Sequence, residues 1–141
     1  MIDRRQFVEL GLCGTAGIAF LPLAGCASLA AVRMAPENGR LRLAVRNYPS
    51  LDRPGGHLKV AADGIAHPIY VVAQEDDSFL ALSSECTHLK CTVELQGARI
   101  VCPCHGSTFD RTGDVLAGPA ERPLGRYPAR LREDGVLEIS L

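Results

Sequence analysis

Residues 101–110 read VCPCHGSTFD and place Cys102, Cys104 and His105 almost side by side. Thiols and an imidazole at that density are metal-ligand chemistry rather than packing. Upstream, residues 86–91 read CTHLKC and add Cys86, His88 and Cys91. The intervening stretch carries two short apolar runs, TVEL (92–95) and ARIV (98–101), around the turn dipeptide Gln96-Gly97. That pattern predicts a β-hairpin. An antiparallel hairpin returns the chain to its start, so the two boxes become neighbouring loops at one tip of a sheet. Each loop then offers one Cys and one His, as Cys86-x-His88 and Cys102-x-x-His105.

Two thiolates and two imidazoles satisfy a tetrahedral structural zinc site, and a zinc-bound module is one reading of this set. Two features weigh against it. The one-residue gap in Cys86-Thr-His88 is tighter than the two to four residues usual in zinc sites. Zinc also leaves Cys91 and Cys104 without a role.

CTHLKC and CPCHGS (102–107) together resemble the two boxes of the Rieske family. In that family two His replace two Cys on one iron of a 2Fe–2S cluster. The resemblance covers roughly residues 41–141. It implies that Cys86 and Cys102 bind the inner iron, that His88 and His105 bind the outer iron, and that Cys91 pairs with Cys104 in a disulfide. Charge supports the type of cluster. Two ferric ions, two sulfides and two thiolates sum to zero with neutral imidazoles, whereas a four-thiolate cluster is dianionic and accepts an electron less readily. The substitution raises the potential from about −400 mV to a range of about −150 to +300 mV.

The disulfide pair separates this chain from the similar ferredoxins of aromatic-ring oxygenases, which lack it. It points to the respiratory and photosynthetic type or to arsenite-oxidase small subunits. By the same resemblance Ser107 donates a hydrogen bond to a bridging sulfide, and Leu89 shields the cluster. Pro119 belongs to a covering loop, Gly118-Pro119-Ala120 with Arg122-Pro123-Leu124, whose prolines stiffen it. Two positions depart from the family. Phe109 stands where high-potential members carry a Tyr that hydrogen-bonds a ligand sulfur, so a lower potential is expected. Lys90 replaces a Gly, which puts the backbone angle of the first loop in question.

Outward from the boxes, short runs recur: LRLAV (41–45), HLKVA (57–61), IYVVA (69–73), FLALS (79–83) and VLEISL (136–141). Turn clusters PGG (54–56), ADG (62–64), EDD (75–77) and EDG (133–135) separate them. The spacing predicts an all-β fold, a small antiparallel sandwich or barrel with the cluster held by two loops at one tip. Hydrophobic content of 47% without Trp suits a small β-rich domain. With 15 basic and 16 acidic residues the chain has no phosphate-binding footprint, and nucleic acid is not an expected partner. His57 and His67 fall outside the boxes and read as surface or core residues.

The N-terminus predicts the location. Arg4-Arg5 before Gln6-Phe7-Val8 looks like a twin-arginine export signal. Leu23-Ala24-Gly25-Cys26 resembles the lipobox, whose Cys carries the lipid. The uncharged run Leu10–Val32 is the rival, a membrane anchor able to span about 30 Å. The expected division is an export signal or membrane anchor over 1–25, a tether over 26–40 and the iron–sulfur domain over 41–141. All readings place the domain on the periplasmic side of the bacterial inner membrane. The expected function is one-electron transfer with a redox protein partner, a cytochrome or an oxidoreductase subunit. The alternative is a subunit of a quinol-oxidising, cytochrome bc-type or arsenite-oxidase-type complex, with quinol as a further partner. No acid–base pair or nucleophile suited to catalysis by the chain alone stands out.

Overall fold

The computed structural model describes residues 30–141. The twin-arginine segment, the lipobox-like run and Cys26 lie outside the described residues. Strands β1 (Val32–Met34), β2 (Arg40–Ala44), β3 (His57–Ala62), β4 (Ile69–Ala73), β5 (Phe79–Ser83) and β6 (Glu94–Gln96) come first. They are followed by β7 (Arg99–Val101), β8 (Thr108–Phe109), β9 (Val115–Ala117), β10 (Arg126–Tyr127), β11 (Ala129–Leu131) and β12 (Val136–Ser140). Among the described residues no helix is long and apolar enough to cross a membrane.

Three sheets form, in the orders β1-β3-β4-β5-β10, β11-β12-β2 and β6-β7-β8-β9. The run IYVVA of β4 explains how they stack. All five of its residues are buried, and successive side chains point to opposite faces. Ile69 and Val71 join Leu41, Leu43, Leu137 and Ile139 in one core. Tyr70 and Val72 join Leu82, Ile100 and Phe109 in a second core, together with Cys86 and Cys102. The five-stranded sheet is therefore the middle layer, and a strand covered on both faces needs no apolar–polar alternation. β2 and β12 do alternate, because only one face of their sheet is covered. Leu43 pairs with Leu137 and Leu41 with Ile139, while Arg42 and Glu138 pair on the outer side.

The all-β expectation holds, with one refinement at the N-terminal side. The tether expected over 26–40 is taken into the fold from Val32 onward. β1 pairs in parallel with β3, Val32 opposite Val60 and Met34 opposite Ala62, and Met34 packs on the first core. Asn38 and Gly39, at φ 50° and 72°, then turn the chain into β2, with Glu37 and Arg40 bridged across them. Asn-Gly is the dipeptide that tolerates two successive positive φ angles.

The four-stranded sheet carries the two boxes, and a polar clamp docks its first strand on the middle layer. Lys59, only 8% exposed, places its Nζ 3.0 Å from both carboxylate oxygens of Glu94. The buried Tyr70 hydroxyl donates to the same carboxylate at 3.1 Å. On the other flank Arg111 donates to the carbonyls of Gly55 and Gly97, tying the hairpin turn to the loop before β3.

Candidate metal centre

The two boxes close by the same pair of backbone hydrogen bonds. In the first, the Cys86 N–H donates to the Cys91 carbonyl at 2.8 Å and the Lys90 N–H to the Cys86 carbonyl at 2.9 Å. In the second, Cys102 N–H donates to Ser107 at 2.8 Å and Gly106 N–H to Cys102 at 3.0 Å. Each loop thus starts on a cysteine, and its fifth residue takes a left-handed backbone, Gly106 at φ 80° and Lys90 at φ 62°. Lys90 thus places a side chain at a backbone angle that favours glycine, in a loop closed by the same bonds as the second.

β6 and β7 pair Glu94 with Val101 and Gln96 with Arg99, so the hairpin brings both loops to one tip. Cys91 and Cys104 are joined by a disulfide across them, with Cα atoms 6.5 Å apart. The remaining two thiols, Cys86 and Cys102, are free and buried. The His88 and His105 rings meet edge to face with centroids 5.0 Å apart. His105 is exposed and His88 half-buried. One tip therefore has a buried thiol side and an imidazole side that reaches solvent.

Opposing influences meet at the Cys86 sulfur. Burial pushes the Cys86 thiol above its ordinary pKa, and the adjacent Cys102 thiol pushes the same way. The His88 backbone N–H and the Ser107 hydroxyl, by contrast, hydrogen-bond the thiolate form. His88 Nδ1 is buried without a hydrogen-bond partner, which is costly unless a ligand occupies that position. Donors aimed at the Cys86 sulfur, a second buried thiol on Cys102 and an unpartnered imidazole nitrogen fit a metal group held by sulfurs and nitrogens. The sulfurs of Cys91, Cys102 and Cys104 also lie within 4.8 Å of one another, but the disulfide removes two of them as thiolate ligands in this state.

The model of the Rieske [2Fe-2S] domain matches residues 44–128. The chain belongs to the Rieske family. The cofactor of the domain is accordingly a Rieske-type 2Fe–2S cluster. A cytochrome b6-f complex iron-sulfur subunit of Synechococcus elongatus is 38% identical over 98 residues, covering 66% of this chain and 53% of that protein. The corresponding subunit of Chlorobaculum tepidum is 37% identical over 95 residues, covering 66% of this chain and 51% of its own. The chain spans about half the length of these relatives. Among solved structures, the plasma membrane Rieske protein from Synechocystis PCC 6803 aligns with a TM-score of 0.52 at 34% identity, covering 61% of this chain and 87% of that one. An oxygenase–ferredoxin complex of carbazole 1,9a-dioxygenase aligns at 0.53 with 28% identity, over 74% of this chain and 94% of that one.

Around the Rieske tip the other expected residues take distinct places. Ser107 is fully buried, and its Oγ accepts the Ala120 N–H at 2.9 Å. That bond occupies a lone pair and leaves the hydroxyl hydrogen for a sulfur. Leu89 is 61% exposed, so it stands out from the tip rather than packing into it. Pro119 is exposed and follows a cis peptide bond from Gly118. Phe109 is fully buried in the core that holds Cys86 and Cys102.

Sequence reasoning missed the fastenings of the covering loop. Thr87 Oγ1 donates to the Arg122 carbonyl at 2.6 Å, and Ser107 holds the Ala120 amide, so both boxes pin the loop. Its position inside Cys86-x-His88 was the signal available for Thr87. Of the outlying histidines, His67 contacts Thr92 through Nδ1 at 3.0 Å and Glu85 through Nε2 at 3.6 Å. His57 lies against the Arg111 clasp. Burial lowers its pKa, and the Arg111 charge lowers it further. Neither joins the tip.

Proposed function

We propose that the chain is a membrane-tethered one-electron carrier in which Cys86 and Cys102 hold the inner iron and His88 and His105 the outer iron. The observation that carries this reading is the sorting of six residues at one tip: two free buried thiols, two imidazoles in edge contact, and two cysteines already spent in a disulfide. When bound, a cluster of this type supplies one-electron chemistry at a potential between about −150 and +300 mV.

The chain's own residues divide the remaining work. Burial of Cys86 and Cys102 excludes water from the sulfur side. Exposure of His105 sets the imidazole edge where a partner reaches it, the shortest way in for an electron. The Ser107 hydroxyl hydrogen points at the sulfur side and favours added negative charge there. Phe109, lacking a hydroxyl, withholds such a bond and lowers the potential relative to a Tyr at that position. The disulfide and the two fastenings of the 118–124 loop keep both ligand loops in place as charge changes.

The N-terminal segment supports export in the folded state and attachment at the periplasmic face of the inner membrane, through a lipid on Cys26 or an uncleaved anchor. A cluster acquired in the cytoplasm requires a folded passenger, which is the cargo of a twin-arginine route. Residues 1–25 act as signal or anchor, and the segment from Cys26 to the start of β1 is the tether.

A second reading rests on a specific observation. The 38% identical relative is an iron-sulfur subunit of a cytochrome b6-f complex, so this chain is also read as the Rieske subunit of a quinol-oxidising complex. Detergent extraction and copurification separate the two. A free carrier purifies alone and exchanges electrons with a soluble cytochrome at a salt-sensitive rate. Stoichiometric recovery with a cytochrome b or a molybdenum subunit assigns it to a complex. A redox titration that does not fit a one-electron step contradicts both.

A further inference from the structure

The sulfur atoms of Cys91, Cys102 and Cys104 all lie within 4.8 Å of one another. Around a tetrahedral zinc ion, sulfurs at about 2.3 Å from the metal stand roughly 3.8 Å apart, so shifts on the order of 1 Å would close these three on one cation. Today the Cys91–Cys104 bond forbids it. We propose that reduction of this disulfide creates a second metal site, Cys91–Cys102–Cys104, for a thiophilic divalent cation of the zinc class. This goes beyond the proposed function and rests on that reading only for the role of Cys102.

The trio has the properties such a site needs. Cys104 is exposed and Cys91 half-buried, so a small reductant reaches the bond and the cation reaches the sulfurs. The fourth tetrahedral position opens to solvent at Cys104, leaving room for a water. Cys86, fully buried, stays outside the trio. Because Cys102 belongs to both donor sets, one chain holds either the cluster or the cation. The disulfide is thereby a selectivity device: closing it withdraws two of the three competing thiolates, and opening it offers Cys102 to the wrong metal.

The chemistry balances with a phosphine as the reductant. The S–S bond breaks with the phosphorus lone pair, and phosphorus takes the oxygen of one water to become the phosphine oxide. The two protons of that water convert Cys91 and Cys104 to thiols. The cation then displaces protons from Cys91 and Cys104, which pass to buffer, and takes the Cys102 thiolate released as the cluster's iron and sulfide leave to solvent.

The test uses the purified full chain with its cluster, kept anaerobic, with zinc added before and after phosphine treatment. With the disulfide intact, negligible zinc uptake is expected and the visible absorption stays. After reduction the chain takes up about one zinc and loses its colour in parallel, and zinc X-ray absorption shows three sulfurs at about 2.3 Å. A Cys104→Ser variant loses uptake by at least about tenfold; should that variant fail to fold, the coordination measured on the reduced wild type decides alone. A reduced chain that keeps its cluster and excludes zinc overturns the proposal. So does bound zinc with two sulfurs and two nitrogens, which would mean capture by the Cys86, His88, Cys102 and His105 set. A protein isolated colourless, with zinc and an intact disulfide, is instead a failure of the Rieske reading, and three-sulfur coordination after reduction still tests the second site.

Discussion

At the scale of single residues, the proposed function makes Phe109 and Ser107 the side chains expected to set how readily the centre takes an electron. Both are fully buried beside the free thiols, where a hydrogen bond is not competed for by water. A Phe109→Tyr change adds one donor next to the ligand sulfurs. If that bond is stronger by about 1 kcal/mol in the reduced state, the potential rises by about 40 mV, since one electron converts 1.4 kcal/mol into about 59 mV. Protein-film voltammetry checks this, and an unmoved potential removes Phe109 from the account. Ser107→Ala runs the other way, lowering the potential by a similar amount while also stripping the Ala120 amide of its acceptor. Lys90 makes a separate prediction about stability. Its positive φ costs a non-glycine residue about 1–2 kcal/mol. Its Glu85 ion pair, with a lysine side chain 80% exposed, contributes little. Lys90→Gly is expected to stabilise the domain by about 0.5–1 kcal/mol after the entropy of glycine is counted. Urea unfolding at unchanged slope would show it.

At the scale of elements, the centre is two copies of one closed loop on the ends of a hairpin, roofed by a third segment. The roof is fastened by few bonds, so its order is sensitive to each. Thr87→Ala removes the 2.6 Å bond to Arg122 and should cost about 1 kcal/mol. Amide hydrogen exchange across 118–124 should then quicken without loss of the core pattern. Beneath the hairpin, Lys59 has Glu94 as its one carboxylate partner among the described residues. Removing one member of a buried pair strands the other, a loss of 3–5 kcal/mol when both are fully buried. Because the Glu94 side chain is 38% exposed, Glu94→Ala is expected to cost about 2 kcal/mol, discounted for solvent screening. The same variant should leave the midpoint potential within experimental scatter, because the side-chain bonds of the clamp run between Lys59, Tyr70 and Glu94 and reach none of the four expected ligand residues. Thermal unfolding and voltammetry on one sample distinguish the two effects.

Across the whole molecule, two sheets pack on opposite faces of a middle one whose strand β4 is buried on both sides, and this explains what could be read from sequence. The long strands were legible because their apolar runs bury two faces (IYVVA) or one (RLRLA), and both patterns announce themselves. β8 and β10, with two residues each, have no period to detect; pairing with β7 and β5 defines them. β1 was hidden because Val32–Met34 adjoins an apolar N-terminal run that reads as anchor and tether. At the centre, the boxes were legible because ligand chemistry restricts residue type and spacing tightly. The Thr87 and Ala120 fastenings were not, since a hydroxyl and a backbone amide are common and only the returning chain gives them partners. In the proposed function this tip holds a 2Fe–2S cluster through two sulfurs and two imidazole nitrogens. Pulsed electron paramagnetic resonance of the dithionite-reduced full chain tests that most directly. The predicted result is a spin-half iron–sulfur signal with hyperfine coupling to two histidine nitrogens, one of them lost in His105→Cys. A colourless, silent protein containing stoichiometric zinc, or a signal without nitrogen coupling, would contradict it.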